Sequence, residues 1–381
     1  MLKRKIFTKK TGLAFVALIL GLSVLSGCNQ PLEVSDDNAE KTEIIVYNWG
    51  DYIAEDTISK FEEAYPQYTV TYREFENNET MYPTLNDGYD IIIPSEYMIS
   101  RLIREEKLQP LDKSLLPNVE AYLDPLFNEL QYAADPELSD KVREYSVPYL
   151  YSTVGLVYDA NLVDISEDTT DPEEIWGVLF DPQYKNKVGM YDSMRESIGV
   201  ALNYLHYSIN TMDENELLEA EELLLKQKKE IAPAYGVDNL KDKLASGELV
   251  ASEAWSGDHL VIIDRIDELG KSDDIDLRYA LPVGSNWSVD MMGIPSNAKN
   301  PIGAHAFIDF MYDPEIALAN CEYAGYSSPN VEAIALLPDE VKNNKAYYPD
   351  DETFMTLSPY FSSAEIDETY ITIWNTVKAS S

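Results

Sequence analysis

The sequence predicts an α/β fold of two lobes with a ligand cleft between them, on three observations. Strand and helix patterns alternate between residues 43 and 93, the mark of a lobe built on a mainly parallel sheet. The same alternation returns beyond residue 149. Two β-like crossings, near 148–152 and 284–288, divide the chain between the two lobes. In open α/β sheets ligands sit outside the carboxyl ends of strands, so the cleft between lobes is the expected site.

Each element has its own signal. Glu43 to Tyr47 is a β-rich run. Residues 56–65 place Ile58, Phe61 and Ala64 on one helical face, and Pro66 stops that helix. Thr69 to Phe75 alternates as a strand, Glu79 to Leu85 reads as a short helix ending near Gly88, and Asp90 to Ile93 is a buried strand closed by Pro94. Further on, Tyr149 to Tyr158 is apolar and β-prone. Glu196 to Ile209 carries Ile198, Leu202, Leu205 and Ile209 at helical spacing, and Glu214 to Lys229 turns Leu217, Leu218, Leu224 and Leu225 inward. A helix over Asp238 to Ser246 ends at Gly247, a strand over Leu249 to Ala254 leads to Trp255, and 258–269 is again helical. Arg278 to Leu281 and Met291 to Ile294 are strands, and helices dominate from Pro301 onward.

The first residues set the compartment. Lys3, Arg4, Lys5, Lys9 and Lys10 precede an uncharged apolar run from Gly12 to Val24, the pattern of a signal peptide over residues 1–27. Leu25-Ser26-Gly27-Cys28 resembles a lipobox, in which Cys28 is lipidated and holds the protein to the membrane through its acyl chains. Residues 28–41 then form the lipidated N-terminus and tether. The chain carries a net charge of −39, and loss of the five basic residues in 1–27 brings it to −44. Such a surface repels nucleic acid and draws cations within a screening length of about 10 Å. With Cys28 acylated, Cys321 has no intrachain partner and reads as a small core residue.

No catalytic constellation stands out. His206, His259 and His305 are scattered over separate helical segments, and there is no zinc-binding His pair, Cys-x-x-Cys, phosphate-binding glycine loop or nucleophile elbow. No metal, cofactor or enzymatic turnover is implied. What recurs is an aromatic beside an acid at predicted strand ends: Trp49-Gly50-Asp51-Tyr52, Ser95-Glu96-Tyr97, Tyr191 to Glu196, Trp255-Ser256-Gly257-Asp258 and Trp287-Ser288-Val289-Asp290. Aromatic faces pack on methylene stems and attract ammonium groups, while carboxylates bond each nitrogen, so the set suits a long, flexible polycation. Another small organic cation or solute, or a surface hydrolase using a carboxylate pair, stays open at this level.

Tyr47-Asn48-Trp49, Asn78 to Tyr82, Tyr89 to Ser95, Gly325 to Asn330 and Tyr348-Pro349-Asp350 come in an order that resembles the spermidine/putrescine-binding proteins of polyamine ABC importers, from about residue 43 to the C-terminus. The resemblance implies a type II-like, two-lobed periplasmic-binding-protein fold, with 42–148 and 289–335 as one lobe and 152–284 and 338–381 as the other. It implies an extracytoplasmic, lipid-anchored monomer that binds a polyamine and delivers it to ABC permease subunits in the membrane. Trp49, Tyr52 and Trp255 resemble aromatic walls, Ser95 and Tyr97 the polar and aromatic contacts of the next loop, and Tyr326 a further aromatic contact. Glu196 and Asp290 resemble amine-binding carboxylates, and Asp258 an acid of putrescine-preferring members. Asp51 joins this set from the first strand-end box. Two departures stand in the region that measures ligand length: Ser193 replaces an acid, unless Asp192 takes that role, and Ser288 replaces a tryptophan, with Trp287 one residue back.

Overall fold

The computed structural model describes residues 41–380 apart from 51, 76, 77, 167 and 346. The expected signal peptide, Cys28 and the tether up to residue 40 lie outside the described residues, as does Asp51.

Among the described residues ten strands form one mixed sheet: β1 (Thr42–Trp49), β2 (Tyr68–Phe75), β3 (Ile91–Ile92), β4 (Leu108–Gln109), β5 (Ser146–Asp159), β6 (Val188–Tyr191), β7 (Ala234–Gly236), β8 (Ala251–Trp255), β9 (Leu277–Ala280) and β10 (Trp287–Pro295). The order is β2-β1-β3-β10-β5-β8-β6-β7, with β4 on β10 and β9 on β5. Both wings are parallel, β1 with β2 and β3, and β6 with β7 and β8. The middle is antiparallel, because β5 and β10 run against each other and against their outer neighbours.

Strand β5 is the seam. Its 14 residues are all buried; its first part pairs with β10 and residues 154–158 pair with β8. The sequence pattern marks only 149–158, since Pro148 lacks a ladder donor. The structure accommodates Pro148 at a register shift between Asp290 and Met291, where a bulge relaxes the pairing.

Alternation along the strands sends side chains to separate cores. Ile44 and Val46 of β1 pack with Phe61, Phe307 and Ile308 on one face, and Tyr47 packs with Met98, Leu102 and Trp287 on the other. Across the seam, Leu156, Val188 and Met190 join Trp176, Leu202 and Leu224, while Val157 and Tyr191 join Leu240 and Ile262. Two sequence expectations change. Leu218 is 54% exposed rather than inward, because the helix Glu214–Glu230 buries only one stripe, Leu217, Ala220, Leu224 and Gln227. The helix begun at Met194 stops at Tyr204; His206 leaves it with φ 61° and stands exposed near Glu173. Beyond Pro338 the chain touches both parts: Val341 and Tyr347 pack beside Phe307 and Phe354 and Leu357 beside Trp287, while Tyr347 Oη bonds His259, Phe361 N bonds Asn210, and the terminal helix Ala364–Ala379 packs in the core of Trp176 and Leu202.

Candidate functional site

The expected site residues gather in two groups at strand ends. The first centres on Asp290 of β10. Tyr52 Oη donates to Asp290 Oδ2 at 2.8 Å, and Ser95 Oγ donates to Oδ1 at 2.8 Å. Ser95 precedes the helix Glu96–Arg104 and bridges in sheet fashion to Asp290. Asn78 Nδ2 reaches both Ser95 Oγ (3.1 Å) and Tyr97 Oη (2.9 Å), tying the two expected contacts of that loop together. Tyr52 meets the Tyr326 ring edge-on at 5.5 Å, and its backbone carbonyl accepts from Tyr149 Oη at 2.6 Å. Trp49 ends β1 against Phe75; its indole N–H is buried and makes no hydrogen bond, yet it favours the charged form of Asp290.

Two carboxyls of this group titrate abnormally. Burial pushes Asp290 up to about 6, against the hydrogen bonds from Ser95 and Tyr52. Burial pushes Glu96 up to about 8, against donation from Val289 N at 3.1 Å and Ser288 Oγ at 3.2 Å. Neutral hydroxyls therefore orient Asp290, and no Lys or Arg pairs with it among the described residues.

The second group lies at the ends of β6 and β8. Trp255 closes β8; its ring lies 4.6 Å from Tyr191, and its backbone N–H donates to Tyr191 Oη at 2.8 Å. Glu196, in the first turn of the helix Met194–Tyr204, accepts from Ser193 Oγ at 2.5 Å, and burial raises its carboxyl. Glu253 is wholly buried, with one oxygen on Tyr191 N at 3.0 Å and the other unpartnered; burial and the Glu196 charge raise it well above the ordinary range. Asp258 accepts from Tyr191 Oη at 2.8 Å and from Lys241 Nζ at 3.0 Å.

The two departures resolve structurally. Trp287 is 1% exposed and packs on Tyr132 and Phe354, because side chains alternate along β10 and Trp287 is out of phase with Asp290. Ser288 shares the phase of Asp290 and contacts Glu96 instead. Asp192 is drawn to Lys378 at 2.6 Å on the surface. Glu96, Asn78 and Tyr191 are quoted in the sequence motifs without being assigned to the site; Lys241 and Glu253 carry no motif signal at all. The remaining histidines are held structurally: His259 bonds Tyr347 Oη, burial lowers it to about 4, and His305 accepts from Asp112 N. Cys321 is buried, which pushes its thiol up to about 12.

A family model for bacterial extracellular solute-binding proteins matches residues 56–349. The chain belongs to that family. Among relatives of this solute-binding protein, the putrescine-binding periplasmic protein SpuD of Pseudomonas aeruginosa is 31% identical over 92% of this chain and 93% of its own length. The spermidine/putrescine-binding periplasmic protein of Escherichia coli is 33% identical over 90% of each. Among solved structures, the spermidine/putrescine ABC transporter substrate-binding protein PotD from Streptococcus pneumoniae matches with 35% identity and a TM-score of 0.76, over 89% of this chain and 99% of that one. The TpPotD lipoprotein of Treponema pallidum follows at 26% and 0.73, over 88% and 99%. The fold is the two-lobed periplasmic-binding-protein fold.

Proposed function

We propose that this solute-binding protein captures polyamines, spermidine or putrescine, outside the cytoplasm and delivers them to ABC permease subunits, without turnover. The observation that carries the reading is Asp290: a carboxylate set among Trp49, Tyr52 and Tyr326, oriented by two neutral hydroxyls and with no Lys or Arg paired to it among the described residues. An ammonium would supply the missing charge, and the rings would pack on the methylenes between nitrogens. Trp255 and Glu196 repeat that pairing of ring and acid beyond the seam. A ligand that touches both groups favours the closed arrangement, which the permease would recognise. The names of the similar proteins from Pseudomonas, Escherichia and Streptococcus support the same ligand class.

The test is thermal unfolding of the chain alone and with putrescine, spermidine, spermine, glycine betaine or maltose. Ligand at a hundred times its dissociation constant stabilises by about 2.7 kcal/mol. A rise confined to polyamines is expected, and no rise with any polyamine contradicts the reading. The proposal includes a monomer anchored through acylated Cys28. Cys28→Ala then releases the protein from the membrane fraction with unchanged ligand affinity; retention of normal anchoring would remove the lipid assignment.

A further inference from the structure

Asp258 sits in the first turn of the helix Ser256–Glu268, where the backbone of Gly257 is pressed on Tyr326: a Cβ there would meet the Gly325 carbonyl at 2.8 Å and the ring at 3.0 Å. The Asp258 charge acts on the Tyr326 hydroxyl, and that ring leans on Tyr52, which bonds Asp290. Yet both oxygens of Asp258 are taken. Tyr191 Oη bonds Oδ2 at 2.8 Å, and Lys241 Nζ bonds Oδ1 at 3.0 Å. Lys241 rises from the helix Asp238–Ala245, and its ammonium also meets Asp238 at 2.8 Å. The pair is secluded, with 14% of the lysine side chain and 4% of the aspartate side chain exposed, whereas Asp238 is at the surface. Burial works against the Lys241 charge, but Asp258 and Asp238 outweigh it and raise its affinity for the proton.

We propose that Lys241 is a specificity-determining residue: its ammonium fills the amine-accepting capacity of Asp258 and closes that part of the cleft to a ligand nitrogen. The inference rests on the polyamine reading above. Asp290 and Glu196 are then the carboxylates left for ligand ammonium groups, enough for a diamine, while a third nitrogen meets an acid already neutralised from within. A buried carboxylate takes the cation that costs least to bring there, and a tethered lysine loses less freedom than a ligand does.

The experiment is calorimetric titration of the full chain and its variants with putrescine and spermidine. In Lys241→Met the ratio of spermidine to putrescine affinity rises at least fivefold, because Asp258 gains an unmet charge. In Lys241→Arg it stays within twofold of wild type, and in Lys241→Met combined with Asp258→Asn it returns to the wild-type value. A merely structural lysine would lower both affinities together and leave the ratio alone. A ratio within twofold in folded Lys241→Met overturns the proposal, as does a change that persists in the double variant. Should Lys241→Met fail to fold, Lys241→Gln, which keeps a donor without the charge, gives the same reading. Absence of polyamine binding by the wild-type chain overturns both this inference and the function it rests on; an unchanged ratio overturns this inference alone.

Discussion

Asp290, inside β10, and Asp258, in the first turn of the helix after β8, are the same residue type, and each accepts a tyrosine hydroxyl at 2.8 Å. They differ in the second oxygen: Ser95 Oγ supplies a neutral donor to Asp290, and Lys241 supplies a full positive charge to Asp258. Hydroxyls aim a carboxylate without neutralising it, so Asp290 keeps an unmet charge and its carboxyl is pushed up to about 6 by burial. An ion pair satisfies Asp258 internally. A carboxylate's usefulness to a cationic ligand therefore depends on what else it touches more than on its presence in a motif.

Removing the unmet charge breaks this contrast most severely. Asp290→Asn is expected to weaken polyamine binding more than tenfold, which is about 1.4 kcal/mol or more; calorimetric affinity unchanged within twofold would take Asp290 out of the site. Acidification acts on the same group more gently. The charged carboxylate is the form that receives an ammonium, and Asp290 takes up its proton as pH falls through about 6. Affinity should then drop about tenfold between pH 7 and pH 5, and this dependence should vanish in Asp290→Asn. Trp255→Ala removes a ring from the opposite group and should weaken every polyamine by about fivefold, near 1 kcal/mol of stacking and cation–π attraction; a loss confined to one polyamine would contradict that role. The smallest effect concerns the fold. Glu96 holds its proton up to about pH 8 in the folded chain and loses it at ordinary carboxylate values when unfolded. Its contribution is present at low pH and is lost as pH rises through 8. The melting temperature of Glu96→Gln relative to wild type should therefore climb by a few degrees as pH rises from 5 to 8; a constant difference would show that Glu96 does not titrate in that window.

Much of the scaffold was legible from periodicity. Phe61, Leu202 and Leu224 are buried where helical spacing places them, and the strands around Val46, Tyr72 and Ala254 form at their β-rich runs. The seam strand was only partly legible, because Pro148 masks its start and pairing with both β10 and β8 depends on partners more than ninety residues away. The strand-end boxes held Tyr52, Ser95 and Asp290, which meet in space, and the resemblance added Tyr326 beside them. It could not reveal Lys241, which lies in an ordinary polar helix pattern and reaches Asp258 only through the packing of two helices. Trp287 shows the limit in the other direction: one residue of phase along β10 sends the ring of that aromatic–acid box into the core.

The central claim is that a polyamine ammonium binds the unmet charge of Asp290, and calorimetric titration of the protein with putrescine and spermidine near pH 6, in buffers of different ionisation enthalpy, tests it most directly. The account predicts saturable one-to-one binding with release of about half a proton per ligand, falling toward zero at pH 8 and in Asp290→Asn. Binding without proton release at pH 6, or no binding of either polyamine, would contradict it.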